Sequence, residues 1–121
     1  MSNDLSKAVA QVLDEYEESV TEAVQRVTDD LAKEGLRKIK SSSKSHGWTY
    51  YASGWLKKVI VNRAGASATI YNGKVPGLVH LLEKGHALRG GGRSRAFPHV
   101  APVQDWMNEE LQKRIKEAIQ K

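Results

Sequence analysis

Between residues 79 and 102 stand three of the chain's four histidines, three consecutive glycines, three arginines and two prolines. His80, Glu83 and His86 recur at every third position. A helix places such residues on one face, so two imidazoles and a carboxylate would converge there, with His99 as a further ligand to a divalent metal. Gly85, a natural helix terminator, interrupts that face before its third ligand. A zinc-hydrolase helix would instead carry two histidines four apart with a glutamate beside the first. The expectation is therefore that no metal, cofactor or catalytic group is held here, that His80 and His86 bond locally, and that Glu83 pairs with a base. The run Arg89, Gly90, Gly91, Gly92, Arg93 has neither dinucleotide-binding spacing nor the Walker lysine of a phosphate cradle. From Lys84 to Gln104 there are four bases and no acid, and only Phe97 offers a ring for base stacking. With Arg95, the run reads as a basic protein-interaction loop. Three adjacent glycines make a fixed conformation entropically costly until a neighbour orders it.

The elements that must position these residues follow from periodicity. From Asp4 to about Ile39, apolar residues recur in steps of three and four: Leu5, Val9, Val12, Leu13, Tyr16, Val20, Ala23, Val24, Val27 and Leu31. That spacing predicts one long amphipathic helix, with Gly35 as a point of interruption and the segment SSSKSHG, 41–47, as its end. Trp48, Tyr50, Tyr51 and Trp55 are either a stacking platform or the core on which the helix packs. Val59 to Val61 and Ala68 to Tyr71, flanking Ala64 and Gly65, predict a β-hairpin. Pro76 opens a short helix that Gly85 closes, and Pro102 opens a last helix with the stripe Val103, Met107, Leu111, Ile115 and Ile119. The expected fold is α+β: long N-terminal and C-terminal helices on a small antiparallel sheet, with a short helix and a long basic glycine-rich loop, in one domain spanning 1–121.

Composition narrows the function classes. The chain has 121 residues, 40% of them apolar, and no cysteine, which excludes disulfides, zinc ribbons and thiol catalysis. No apolar run approaches the roughly 20 residues of a membrane span, and the opening MSNDLSKAVAQ is polar and acidic where a secretory signal would be basic then apolar. A soluble protein made in the cytoplasm is expected. Its net charge of +5 is unevenly spread: residues 1–34 carry nine acids and three bases, whereas 35–104 carry twelve bases and one acid, Glu83. Asp14, Glu18 and Glu22 form a like-charge ladder at helical spacing, which costs a few tenths of a kcal/mol per pair. Glu15, Glu18 and Glu22 are thus either a solvated face or one that meets a basic surface on another subunit or lines an electronegative channel. Nothing in a solvent-facing helix supports paired-carboxylate catalysis.

The order YYASGWLKK, TIYN, LVHLLEKGHALRGGGR and PHVAPV after a long N-terminal helix resembles the neck proteins of long-tailed bacteriophages. These are the head-tail joining or tail-completion family, in the form common among phages of Gram-positive hosts. The likeness covers roughly residues 10–118. Gly54 and Trp55 match at the hairpin start, and His80, Leu81, Leu82, Glu83, Gly85 and His86 match at the short helix. Gly91, Gly92 and Arg93 match in the loop, and Pro98, His99 and Pro102 match before the last helix. The Ser-Pro pair that other branches carry before the hairpin is absent from SSSKSHGW. The resemblance implies a non-enzymatic virion protein without cofactor, assembled in the bacterial cytoplasm into a homo-oligomeric ring of six-fold symmetry. The ring would stand between the head-closure or connector proteins and the tail terminator or tail tube, passing DNA without sequence-specific binding and touching no membrane. It also implies that His80, Glu83, Gly85, His86, Pro98, His99 and Pro102 form a structural motif.

The alternative reading from the residues themselves is a small basic nucleic-acid binder or ribonuclease-type toxin, with His86, His99 and Arg93 or Arg95 at the phosphate. Phosphodiester cleavage needs a preorganised proton donor and acceptor, and a glycine-rich stretch is a poor scaffold for them. The two readings of the histidines separate in a melting experiment, because a ligand bound only by the native state raises its stability. With the histidines as local structure, chelator leaves the melting temperature unmoved. A fall on chelation, reversed by one equivalent of a divalent ion, would make them ligands.

Overall fold

The computed structural model describes residues 2–62 and 65–120, with side chains from residue 7 onward. The elements run α1 (Ser2–Ser45), α2 (Thr49–Ala52), β1 (Trp55–Asn62), β2 (Gly65–Asn72), α3 (Pro76–Lys84) and α4 (Val100–Gln120). This is the expected α+β arrangement, with long terminal helices against a two-stranded antiparallel sheet. The strands pair with Trp55 opposite Asn72 and Asn62 opposite Gly65. The expected turn at Ala64 and Gly65 falls partly on Ala64, which lies outside the described residues.

Alternation along the hairpin turns Trp55 and Val59 from β1, with Ala68 and Ile70 from β2, toward the helices. They meet Leu31, Ala32 and Ile39 of α1 and Met107 and Leu111 of α4 in one buried cluster. Gln104 Nε2 donates to the Ala68 carbonyl at 3.1 Å and fastens α4 to the sheet. At the helix pair, Arg114 bonds Glu34 and holds that carboxyl below the ordinary carboxylate range.

Three sequence expectations are corrected. The first helix runs past Ile39, although it ends at Ser45, inside the 41–47 segment expected to end it. Ser43 is fully buried in α1, its hydroxyl donates to the Ile39 carbonyl at 2.8 Å, and it accepts the Trp55 indole N–H at 2.9 Å. A short hydroxyl side chain is tolerated inside a helix when it has both partners. The residues after Trp48, to which the sequence assigned no element, form a helical turn, α2. Second, α4 begins at Val100, two residues before Pro102; a proline in the first turn sacrifices no intrahelical bond.

The third correction concerns Gly35, which does not interrupt α1. It is buried where the two long helices cross, and a Cβ there would overlap the Met107 side chain, with Cε at 2.9 Å and Cγ at 3.0 Å. Glycine is present for close approach. Helix propensity alone makes Gly35→Ala stabilising by about 1 kcal/mol, whereas overpacking against Met107 makes it destabilising by about 1–3 kcal/mol. The packing account predicts the second sign in chemical denaturation, with a loss in the Gly35→Ala, Met107→Ala double variant smaller than the sum of the two single losses. A gain in stability from Gly35→Ala alone would refute it.

Candidate functional site

The chemistry-bearing residues of 79–102 meet at the N-terminus of α4. After α3, Gly85 turns the chain with a φ of 74°, and a Cβ at this position would stand 2.6 Å from the Ser94 carbonyl oxygen. Only glycine fits both conditions. Glu83 is thereby set against the start of α4, where its Oε1 accepts from the backbone N–H of His99 at 2.8 Å and of Val100 at 2.9 Å, and its Oε2 from that of Ala101 at 2.9 Å. The first amides of a helix have no partner within it and form the positive end of its dipole. A carboxylate from another helix here does what a capping side chain does elsewhere. Burial raises the Glu83 pKa, but the three amide donors and the His99 ring outweigh it and hold the carboxyl below its ordinary range. The expected pairing with a base is therefore corrected: backbone amides are the principal partners of Glu83.

His99 continues the clasp inward. Its Nδ1 lies 2.7 Å from the Phe97 carbonyl and 2.9 Å from Glu83 Oε1, and its Nε2 lies 2.7 Å from the Tyr51 hydroxyl. A proton on Nδ1 satisfies every contact, with the tyrosine O–H donating to Nε2. Burial first, and the Glu83 charge second, push the Tyr51 hydroxyl far above the ordinary phenol range, so it remains a donor.

Glu83, His99 and Tyr51 thus line up as carboxylate, imidazole and hydroxyl, the order in which a relay activates a nucleophile. The hydroxyl end is closed: Tyr51 is 4% exposed and His99 2%. Both rings sit edge-on to Trp48 and Trp55. A shallow hollow lined by Val79, His80, Glu83, Val100 and Ala101 reaches the carboxylate but includes neither His99 nor Tyr51 among its walls. What the arrangement does is join α2, α3 and α4. Of the four aromatics offered as a stacking platform, only Tyr50 is exposed, and Lys74 Nζ sits 5.0 Å from its ring centre.

The remaining motif residues separate. Ser94 Oγ accepts from the His86 backbone N–H and shares a hydrogen bond with His86 Nδ1, both at 2.9 Å, while His80 is exposed on α3 and Pro98 precedes the buried His99. Among the described residues, no three His, Cys, Asp or Glu side chains are gathered as a metal site requires.

The glycine-rich stretch closes on itself. Ala87 and Arg93 form an antiparallel bridge, Leu88 N donates to Gly92 O at 3.0 Å, and Gly91 and Gly92 take φ of 100° and 77° to make the turn. Arg93 donates to the Gly85 carbonyl at 3.3 Å and Arg95 lies over the Phe97 ring at 5.4 Å. Arg89 and Gly90 to Gly92 form the exposed tip.

On α1, Glu18 and Glu22 line an acidic hollow with Asp14, Glu17 and Thr21 beside Asn62 at the hairpin end. Glu15 accepts from Gln11 at 3.4 Å and lies outside that hollow. The apolar stripe beside these acids is bare: Val9, Val12, Leu13 and Tyr16 are 51% to 63% exposed. Among the described residues, no helix is long and apolar enough to cross a membrane. No protein-family model matches the chain, and no curated protein or solved structure matches it either.

Sequence reasoning placed Glu83 and His99 in one motif but missed Tyr51, 48 residues from His99, as the third member. No spacing rule connects them. The clasp has a pH signature. A carboxyl whose folded pKa lies below its unfolded value, roughly 4.3, contributes stability that is present above that value and lost as pH falls through the folded one. Glu83→Gln should therefore cost about 1–3 kcal/mol at pH 7 and flatten part of the acid-side decline in stability seen in the parent. Equal stability of the two proteins at pH 7 would remove the clasp from the account.

Proposed function

We propose that this chain is a non-enzymatic structural subunit of a bacteriophage neck. It forms a homo-oligomeric ring between head connector and tail that completes the tail or joins it to the head while DNA passes through. The observation that carries this reading is the exposed stripe Val9, Val12, Leu13 and Tyr16 on a helix whose later turns are packed into the core. Exposed apolar residues contiguous on one face mark a surface that another molecule covers. An acid-rich segment at one end of the chain and a base-rich remainder suit subunits meeting through unlike surfaces, the head-to-tail contact that closes a ring when the rotation fits. Glu18 and Glu22, open to solvent, suit a channel wall that repels the DNA backbone and leaves it free to slide. The closed turn at Arg89 to Arg93 offers a basic tip to a neighbouring neck component.

The ribonuclease-type reading needs His86, His99 and an arginine around one open phosphate site. With His99 buried, both its ring nitrogens engaged, and Arg93 turned to Gly85, the observations favour the structural reading. Electron microscopy of the purified chain, alone and with connector or tail, is expected to show closed rings that form more slowly in 1 M salt, where the screening length is about 3 Å. Reversing Glu15, Glu18 and Glu22 to lysine should impair assembly and phage complementation while leaving helical content unchanged. Full complementation by that variant would leave the acidic face without a part in assembly, and absence of rings under every condition would count against the neck.

A further inference from the structure

The outer face of the hairpin is a second bare surface. Leu56 and Tyr71 are register partners, Lys58 faces Thr69, Ile60 faces Ser67, and alternation puts all six on the side turned from the core. Leu56, Ile60 and Tyr71 are 45% to 47% exposed. Among the described residues, this two-stranded sheet, with one face packed on helices and three large apolar side chains on the other, has no covering layer. We infer that residues 9–16 of α1 from a second copy of this chain lie across that face, supplying the layer. The inference rests on the assembly reading above and names the contact that would build it.

Three observations select this occupant. The chain cannot cover the face itself, because α1 is continuous through Ser45 and its later turns are packed on the opposite side of the same sheet. The dimensions agree: Val9 to Tyr16 spans about 10 Å of helix, and Leu56 to Ile60 about 13 Å of strand. The charges agree as well. Glu15 and Glu17 flank the stripe, whereas the outer face of the hairpin carries Lys58 and no acid. Charge also argues against the simplest alternative, two α1 stripes packed on each other. That symmetric contact would bring together two faces that are each bordered by Glu15 and Glu17 and by no base, with no attraction to gain. A stripe on one element and its receptor on another make the contact heterologous, so each copy is both donor and acceptor.

The absence of native cysteine makes the test direct. Val12→Cys and Ile60→Cys proteins, each altering a solvent-exposed side chain, are mixed under mild oxidation at a concentration where native mass spectrometry shows oligomers. A disulfide joining the two variants is expected, with little Val12→Cys homodimer. In parallel, Ile60→Asp should weaken self-association by at least about tenfold with unchanged circular dichroism. Oligomers that form without the mixed disulfide, or in which Val12→Cys joins itself or a Leu81→Cys protein on α3, would overturn this contact and leave the ring reading standing. The mixed disulfide in open filaments would support the contact and count against the neck. A chain monomeric at every concentration would overturn the contact.

Discussion

The structure is governed by a mismatch of lengths. α1 has 44 residues, and at about 1.5 Å per residue it extends roughly 66 Å. α4, with 21 residues, extends about 32 Å, and the eight-residue strands are shorter still. The partners within the chain can cover only about half of the long helix. Burial therefore begins near Val20, where Val20 and Val24 approach Val61, Ala66, Ile115 and Ile119, and is complete at Leu31 and Ile39. The turns before Tyr16 keep the amphipathic pattern but lack a surface to use it on. Isolated helical turns are marginal in water, so the amino-terminal half depends on helical continuity with the packed half and on whatever covers its stripe.

Within the packed half, order comes from polar groups placed where the chain changes direction. Asn72 donates to the Tyr51 carbonyl and accepts from the amides of Lys74 and Val75, turning the chain from β2 toward α3. Glu83 grips the first amides of α4, and His99 joins that grip to Tyr51. Ser43 holds the Trp55 indole at the end of α1. Among the described residues, no buried side-chain nitrogen or oxygen lacks a partner, which suits a small core whose apolar content is modest. The histidines and carboxylate that first suggest chemistry contribute position.

Much of the architecture was legible because periodicity is local. The helical stripe, the hairpin, the proline-opened short helix and the last helix all follow from residues within a few turns of each other. What failed required knowledge of distant partners. Gly35 and the serines at 41–45 read as breakers because, in isolation, glycine is flexible and serine competes for backbone bonds; close packing on Met107 and the indole of Trp55 reverse those tendencies. Glu83 read as the partner of a base because its amide partners lie 16 to 18 residues away. The stripe from Val9 to Tyr16 read as continuous with the later turns of the helix because pattern reports that a face is apolar, without reporting whether anything covers it. The glycine run read as an open loop because composition does not reveal the bridge between Ala87 and Arg93.

We propose that the body is complete by itself while the amino-terminal half of α1 is left for a neighbour. Amide hydrogen exchange as a function of protein concentration tests it most directly. At dilutions where the chain is monomeric, the amides of residues 27–39 should be strongly protected and those of 9–16 weakly so; protection of 9–16 should rise as subunits associate, together with that of the exposed hairpin. Equal protection of both halves in a confirmed monomer, or a stripe that stays unprotected in the assembled state, would contradict the account.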